Sequence, residues 1–123
     1  MMDLDGLKGV NDTYGHTAGD RAIVQMKEIL TRVCHQSDTL IRWCGDEFLL
    51  LGRHTDREAA AMLAERIRQA VFDLGDGDTV RLSCSVGFTF FPFQTDAPNL
   101  FTWEQVLDLT DRALYKAKQS GRD

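Results

Sequence analysis

Two carboxylates stand side by side in Arg42-Trp43-Cys44-Gly45-Asp46-Glu47-Phe48. An apolar run, Thr39-Leu40-Ile41-Arg42-Trp43, leads in, and Phe48-Leu49-Leu50-Leu51 leads away. The pattern predicts a β-hairpin with a tight turn at Cys44-Gly45, its loop adjustable by one position. Adjacent acids repel one another and are poor strand formers, so a doubly acidic tip on so apolar a hairpin needs a reason. One reason is solubility; the other is a divalent cation seated on the acids. A second pair, Asp3 and Asp5, alternates with Met2 and Leu4 and so shares one face of a strand. If that strand lies beside the hairpin, carboxylates from both reach a common pair of ions. Two ions roughly 3.5–4 Å apart can activate a hydroxyl and stabilise a leaving pyrophosphate. Lys8, Lys118 and Arg122 are then candidates for holding phosphate oxygens. Asn11 and Asp20 are left to read a base: a carboxylate suits the two adjacent N–H donors of guanine, and an amide both donates and accepts.

The elements that must position these residues follow from periodicity. The opening Met1-Met2-Asp3-Leu4-Asp5 reads as a strand entered partway. Residues 6–16 are rich in Gly and Asn and predict a short helical turn ending at Gly15. Thr17, with Asp20 three residues on, predicts the cap of an amphipathic helix from 18 to about 34, with Ala22, Ile23, Met26, Ile29, Leu30 and Val33 inward. Thr55 to Glu58 predicts a capping box opening a helix to about Asp73. Gly75-Asp76-Gly77-Asp78 is a turn that lacks the ligand pattern of a calcium loop. Val80, Leu82, Cys84 and Val86 alternate with polar residues as a half-buried strand, continued by Phe88-Thr89-Phe90-Phe91-Pro92-Phe93. Thr102 and Gln105 form a second box, opening a helix with Val106, Leu107, Ala113, Leu114 and Ala117 inward and an end at Gly121. Helices alternating with strands around an antiparallel hairpin imply a mixed sheet with helices packed on it, an α+β sandwich.

Composition narrows the partners. The 123 residues suit one domain, 1–123, with a single core, and the 27% charged content is that of a soluble globular chain. Net charge is −5, which disfavours a DNA or RNA polymer as ligand, because such binding rests on basic residues neutralising phosphates. A small nucleotide that brings its own metal ions is compatible with that charge. No apolar run approaches a membrane span, so no membrane contact is expected of this domain. Cys34, Cys44 and Cys84 are odd in number and show no CxxC spacing, which reads as reduced thiols of a cytoplasmic protein.

The motifs together are similar to a known family. Asp3-Leu4-Asp5 with Lys8, Asn11-Asp12-Thr13-Tyr14-Gly15-His16, Gly19-Asp20, Cys44-Gly45-Asp46-Glu47-Phe48, and Ala113-Leu114-Tyr115-Lys116-Ala117-Lys118 with Gly121-Arg122 resemble the GGDEF domains. These are diguanylate cyclases, which join two GTP molecules into cyclic di-GMP and release pyrophosphate. The resemblance implies an antiparallel-rich sheet flanked by helices, like the palm of nucleotide cyclases and polymerases. It implies Mg²⁺ or Mn²⁺, two ions per GTP, on Asp3, the backbone carbonyl of Leu4, Asp46 and Glu47. Asp46, Glu47 and Lys118 become the catalytic positions, with Glu47 near the reacting hydroxyl. Asn11 and Asp20 become the guanine pair. Lys8, the Gly6-Leu7 amides, Lys118 and Arg122 become the triphosphate clamp, with Gly45 against the nucleotide. Asp5, Asp12 and His16 match family positions but suit structural roles. Catalysis would need a homodimer, since each domain holds one GTP, and the ends of the chain read as those of the C-terminal part of a larger signalling protein.

Three departures from the pattern bear on activity. Cys44 replaces the first signature glycine; if its φ is positive, strain on the order of 1 kcal/mol follows. A catalytically impaired module that binds GTP or cyclic di-GMP as a receptor is therefore the alternative to an active cyclase. The family's Arg-x-x-Asp inhibition motif reads His35-Gln36-Ser37-Asp38 here, without its Arg. Leu7 stands where Phe is usual, an apolar exchange that packing tolerates.

Overall fold

A computed structural model describes residues 1–73 and 82–121. The element order is β1 (Met2–Asp5), α1 (Leu7–Tyr14), α2 (His16–Val33), β2 (Thr39–Cys44), β3 (Glu47–Leu51), α3 (Arg57–Phe72), β4 (Ser83–Val86) and α4 (Trp103–Gln119). The acidic turn at 75–78, Val80 and Arg122 lie outside the described residues.

Among the described residues the sheet has four strands in the order β2-β3-β1-β4. Every pairing between them is antiparallel, which corrects the mixed sheet expected from alternation. The two helices between β1 and β2 allow the chain to return in either direction, so alternation does not dictate a parallel pair. The fold is α+β, with the short β1 at the centre.

The two sheet faces differ. Met2, Leu4, Phe48 and Cys84 join Val10, Ala22, Met26, Ile29, Leu30, Ile67 and Val71 in one core under α1, α2 and α3. On the opposite face Met1 and Leu49, flanked by Ile41 and Leu51, pack against Leu107 and Leu114 of α4. Strand alternation then places Asp3, Asp5, Glu47, Ser83 and Ser85 on that same α4 face, at its polar end.

Local signals were partly displaced. Gly15, at φ 83°, ends α1 and starts α2, and its carbonyl accepts from Ala18 N at 3.0 Å. The helix thus begins before Thr17 can cap it. Asp56 rather than Thr55 caps α3, accepting from Ala59 N at 2.8 Å, while Thr55 Oγ1 donates to the Arg53 carbonyl. The Thr102–Gln105 box forms with both of its bonds. The hairpin turn is Gly45-Asp46, one position later than expected, and Glu47 is the first residue of β3. β4 stops at Val86 instead of running to Phe93; Gly87 packs on α4, and Phe93 meets Phe90, Phe91 and Phe101 edge-on.

Candidate active site

Asp3 sits on the central strand directly across the ladder from Glu47 and, on its other side, from Ser85. Its placement under α4 leaves it 8% exposed. The Lys118 ammonium lies 2.9 Å from Asp3 Oδ2. Lys118 follows Leu114 by one helical turn, so the helix that buries Leu114 delivers the lysine to the same face. Burial pushes the Asp3 carboxyl above its usual range; the Lys118 hydrogen bond opposes this, and the charges of Asp46 and Glu47 add to the rise. Three acids from β1 and the hairpin therefore share one field.

The hairpin tip is braced by Arg42, whose Nε donates to the Gly45 carbonyl at 2.8 Å. Gly45 uses its freedom there, at φ 53°. Cys44 is exposed at the end of β2, next to a register shift between Arg42 and Cys44. Its φ is not positive, so the backbone strain considered for this position does not arise.

Asp5 has a different office. Its two carboxylate oxygens accept from Ser83 Oγ at 3.1 Å and Ser85 Oγ at 2.9 Å, tying β1 to β4. Cys84, between these serines, faces the main core, and burial pushes its thiol up to about 12. Asp38 is likewise occupied: one oxygen accepts from His35 N at 2.8 Å and the other from Arg53 N at 3.3 Å.

The α1–α2 packing sets Asn11 against Gly19, the residue before Asp20. Gly19 is buried against Asn11, and a Cβ at Gly19 would overlap the Asn11 amide. The glycine beside Asp20 thus makes the room in which Asn11 lies. Lys8 is exposed in the first turn of α1, whose first amides receive no side-chain cap at Gly6. Gly87 and the serine pair are the positioning residues that periodicity missed. The available signal was a glycine breaking a strand pattern.

As the side chains stand, no three His, Cys, Asp or Glu side chains among the described residues form a ready-made ion cage. The chemistry of the donors nevertheless fits Mg²⁺ or Mn²⁺: hard carboxylate oxygens of Asp3, Asp46 and Glu47, the charges of the last two being felt at Asp3, where the Lys118 ammonium already sits. No helix among the described residues is long and apolar enough to cross a membrane. All three cysteines are free thiols.

The fold is an α+β domain whose described strands all pair antiparallel, with the acids of β1 and of the hairpin on its α4 face. The family model described as diguanylate cyclase, GGDEF domain, matches residues 1–123, and the chain belongs to that family. It is 33% identical over 126 residues to diguanylate cyclase A of Treponema denticola, covering 100% of this chain and 33% of that protein. It resembles the structure of diguanylate cyclase SiaD in complex with its activator SiaC from Pseudomonas aeruginosa, with 34% identity, TM-score 0.83, and 99% of this chain against 46% of that one. It also resembles the GGDEF domain of DgcB from Caulobacter crescentus in complex with c-di-GMP, with 27% identity, TM-score 0.83, and coverage of 98% and 71%.

Proposed function

We propose that this domain is a diguanylate cyclase that condenses two GTP into cyclic di-GMP and pyrophosphate across a symmetric pair of domains. The observation that carries the reading is Asp3 lying opposite Glu47 with Lys118 on its carboxylate, in a chain that belongs to the GGDEF family. Asp3, the Leu4 carbonyl, Asp46 and Glu47 are the groups that would hold Mg²⁺ or Mn²⁺. When bound, the ions supply charge neutralisation at the α-phosphate and activation of the attacking 3′-hydroxyl.

This chain's own groups do the rest. Asn11 and Asp20 bind the guanine edge. Lys8, the first amides of α1, Lys118 and Arg122 hold the phosphates and favour their departure as pyrophosphate. Each hydroxyl held by one domain attacks the phosphate held by its partner, so the two faces must meet about a two-fold axis. The greater length of the curated relatives supports reading the domain as the output part of a longer chain.

One feature favours a second reading. Cys44 places a side chain where the signature has glycine, at the exposed hairpin tip. A domain obstructed there would bind GTP or cyclic di-GMP without turning over. The domain fused to a dimeric leucine zipper, incubated with GTP and Mg²⁺ or Mn²⁺, separates the two. Cyclic di-GMP with pyrophosphate is the expected result; GTP binding without product supports the receptor reading, and neither binding nor product overturns both.

A further inference from the structure

The Asp3–Lys118 pair is built for exchange. The Asp3 side chain is 12% exposed and that of Lys118 31%, so the carboxylate is held within the fold while the lysine side chain is partly open to solvent. Lysine is a compact point charge on a four-carbon stem and can leave a partner without disturbing the backbone that carries it. Lys118 is the one cation acting on Asp3 among the described residues, while Asp46 and Glu47 both press on the same carboxylate. One ammonium cannot neutralise three acids, and a divalent ion at Asp3 would repel it.

Resting on the reading of Asp3 as a cation ligand, we propose that Lys118 is a built-in competitor for the metal, and that its displacement arms the phosphate clamp. An ion arriving at Asp3 releases the ammonium, which is then free for the nucleotide's phosphates. A phosphate that captures Lys118 uncovers Asp3 for the ion. Each event assists the other, and linkage makes the two effects equal in magnitude. The metal-free domain thus keeps its buried carboxylate paired, and cation and nucleotide bind as a set.

The test measures Mn²⁺ binding to the 123-residue protein by electron paramagnetic resonance, first with Mn²⁺ alone and then with pyrophosphate at matched free Mn²⁺. Lys118→Met should bind Mn²⁺ alone about five-fold more tightly or better, and should lose most of the tightening that pyrophosphate gives the unmodified protein. Asp3→Asn should lose the site. Circular dichroism checks folding, and Lys118→Gln replaces the Met variant if that one does not fold. Unchanged or weaker Mn²⁺ binding in the Lys118 variant, with binding still dependent on Asp3, would overturn the exchange and leave the ligand reading intact. Mn²⁺ binding indifferent to Asp3→Asn would overturn both.

Discussion

Gly87 lies against the backbone of Leu114 with no side chain between them: a Cβ at Gly87 would stand 2.6 Å from Leu114 Cα and 2.8 Å from the Ala113 carbonyl carbon. Backbone cannot swing aside as a side chain can. The contact sets how closely α4 approaches the sheet, and the lysine one turn beyond Leu114 reaches Asp3 because of it. Gly87→Ala should therefore lower the unfolding free energy by about 1–3 kcal/mol, the usual cost of overpacking, and reduce product formation by the zipper-fused domain. Urea denaturation with a parallel assay reads both. An unchanged midpoint would mean that α4 is held by something else.

Gly19→Ala should separate stability from recognition. The atoms a new Cβ would meet belong to the Asn11 amide, the far end of a side chain that can rotate out. Alanine also favours the α2 interior by up to about 1 kcal/mol, offsetting the crowding. The variant should melt near the unmodified protein while GTP affinity, followed by calorimetry, drops about ten-fold through loss of one hydrogen-bonding group. Equal affinity would remove Asn11 from the proposed guanine contacts.

Stability against pH should carry the mark of Asp3. Its folded carboxyl titrates above the ordinary 3.8, mainly through burial, so the folded state holds that proton more tightly than the unfolded chain. The associated stability is fully present below 3.8 and is lost as pH rises through the raised folded value. At pH 7 without metal, Asp3→Asn should be more stable than the parent, and the gap should close toward acid. Added Mn²⁺ should stabilise the parent alone. Urea midpoints at several pH values, with and without the ion, measure this.

Cys44 is exposed, Cys84 is buried and Cys34 half-buried with its thiol raised by burial. Under native conditions a disulfide-exchange reagent should label Cys44 first and Cys84 last. Bound GTP with Mn²⁺ should slow the Cys44 reaction if the nucleotide lies against the hairpin tip. Cys44→Gly should not stabilise the fold, because no positive φ is relieved; a loss of about 0.5–1 kcal/mol is expected. A gain in stability would contradict the backbone described.

Asp38 spends both carboxylate oxygens on backbone amides at the entry to β2. Asp38→Ala should cost about 1 kcal/mol and leave cyclic di-GMP affinity unchanged, the partner Arg of the motif being His35. Tight, Asp38-dependent binding in calorimetry would reverse that view.

What the amino-acid order determined was local or carried by motif. Periodicities of two and 3.6 marked the hairpin, α2, α3 and α4, the Thr102–Gln105 box marked the start of α4, and the spaced acids with their lysines marked the family. Tertiary structure alone decided which groups meet. Asp3 and Glu47 are 44 positions apart, and their facing each other depends on strand order and register, which no short-range signal encodes. The antiparallel sense of every described pairing, the end of β4 just before Gly87, and the different partners of Asp3 and Asp5 follow from what packs on each face. Local caps at Thr17 and Thr55 gave way where a left-handed glycine or a neighbouring Asp closed the helix end one or two residues off. Propensity acts through bonds within a few residues, whereas the site is assembled by packing across the sheet.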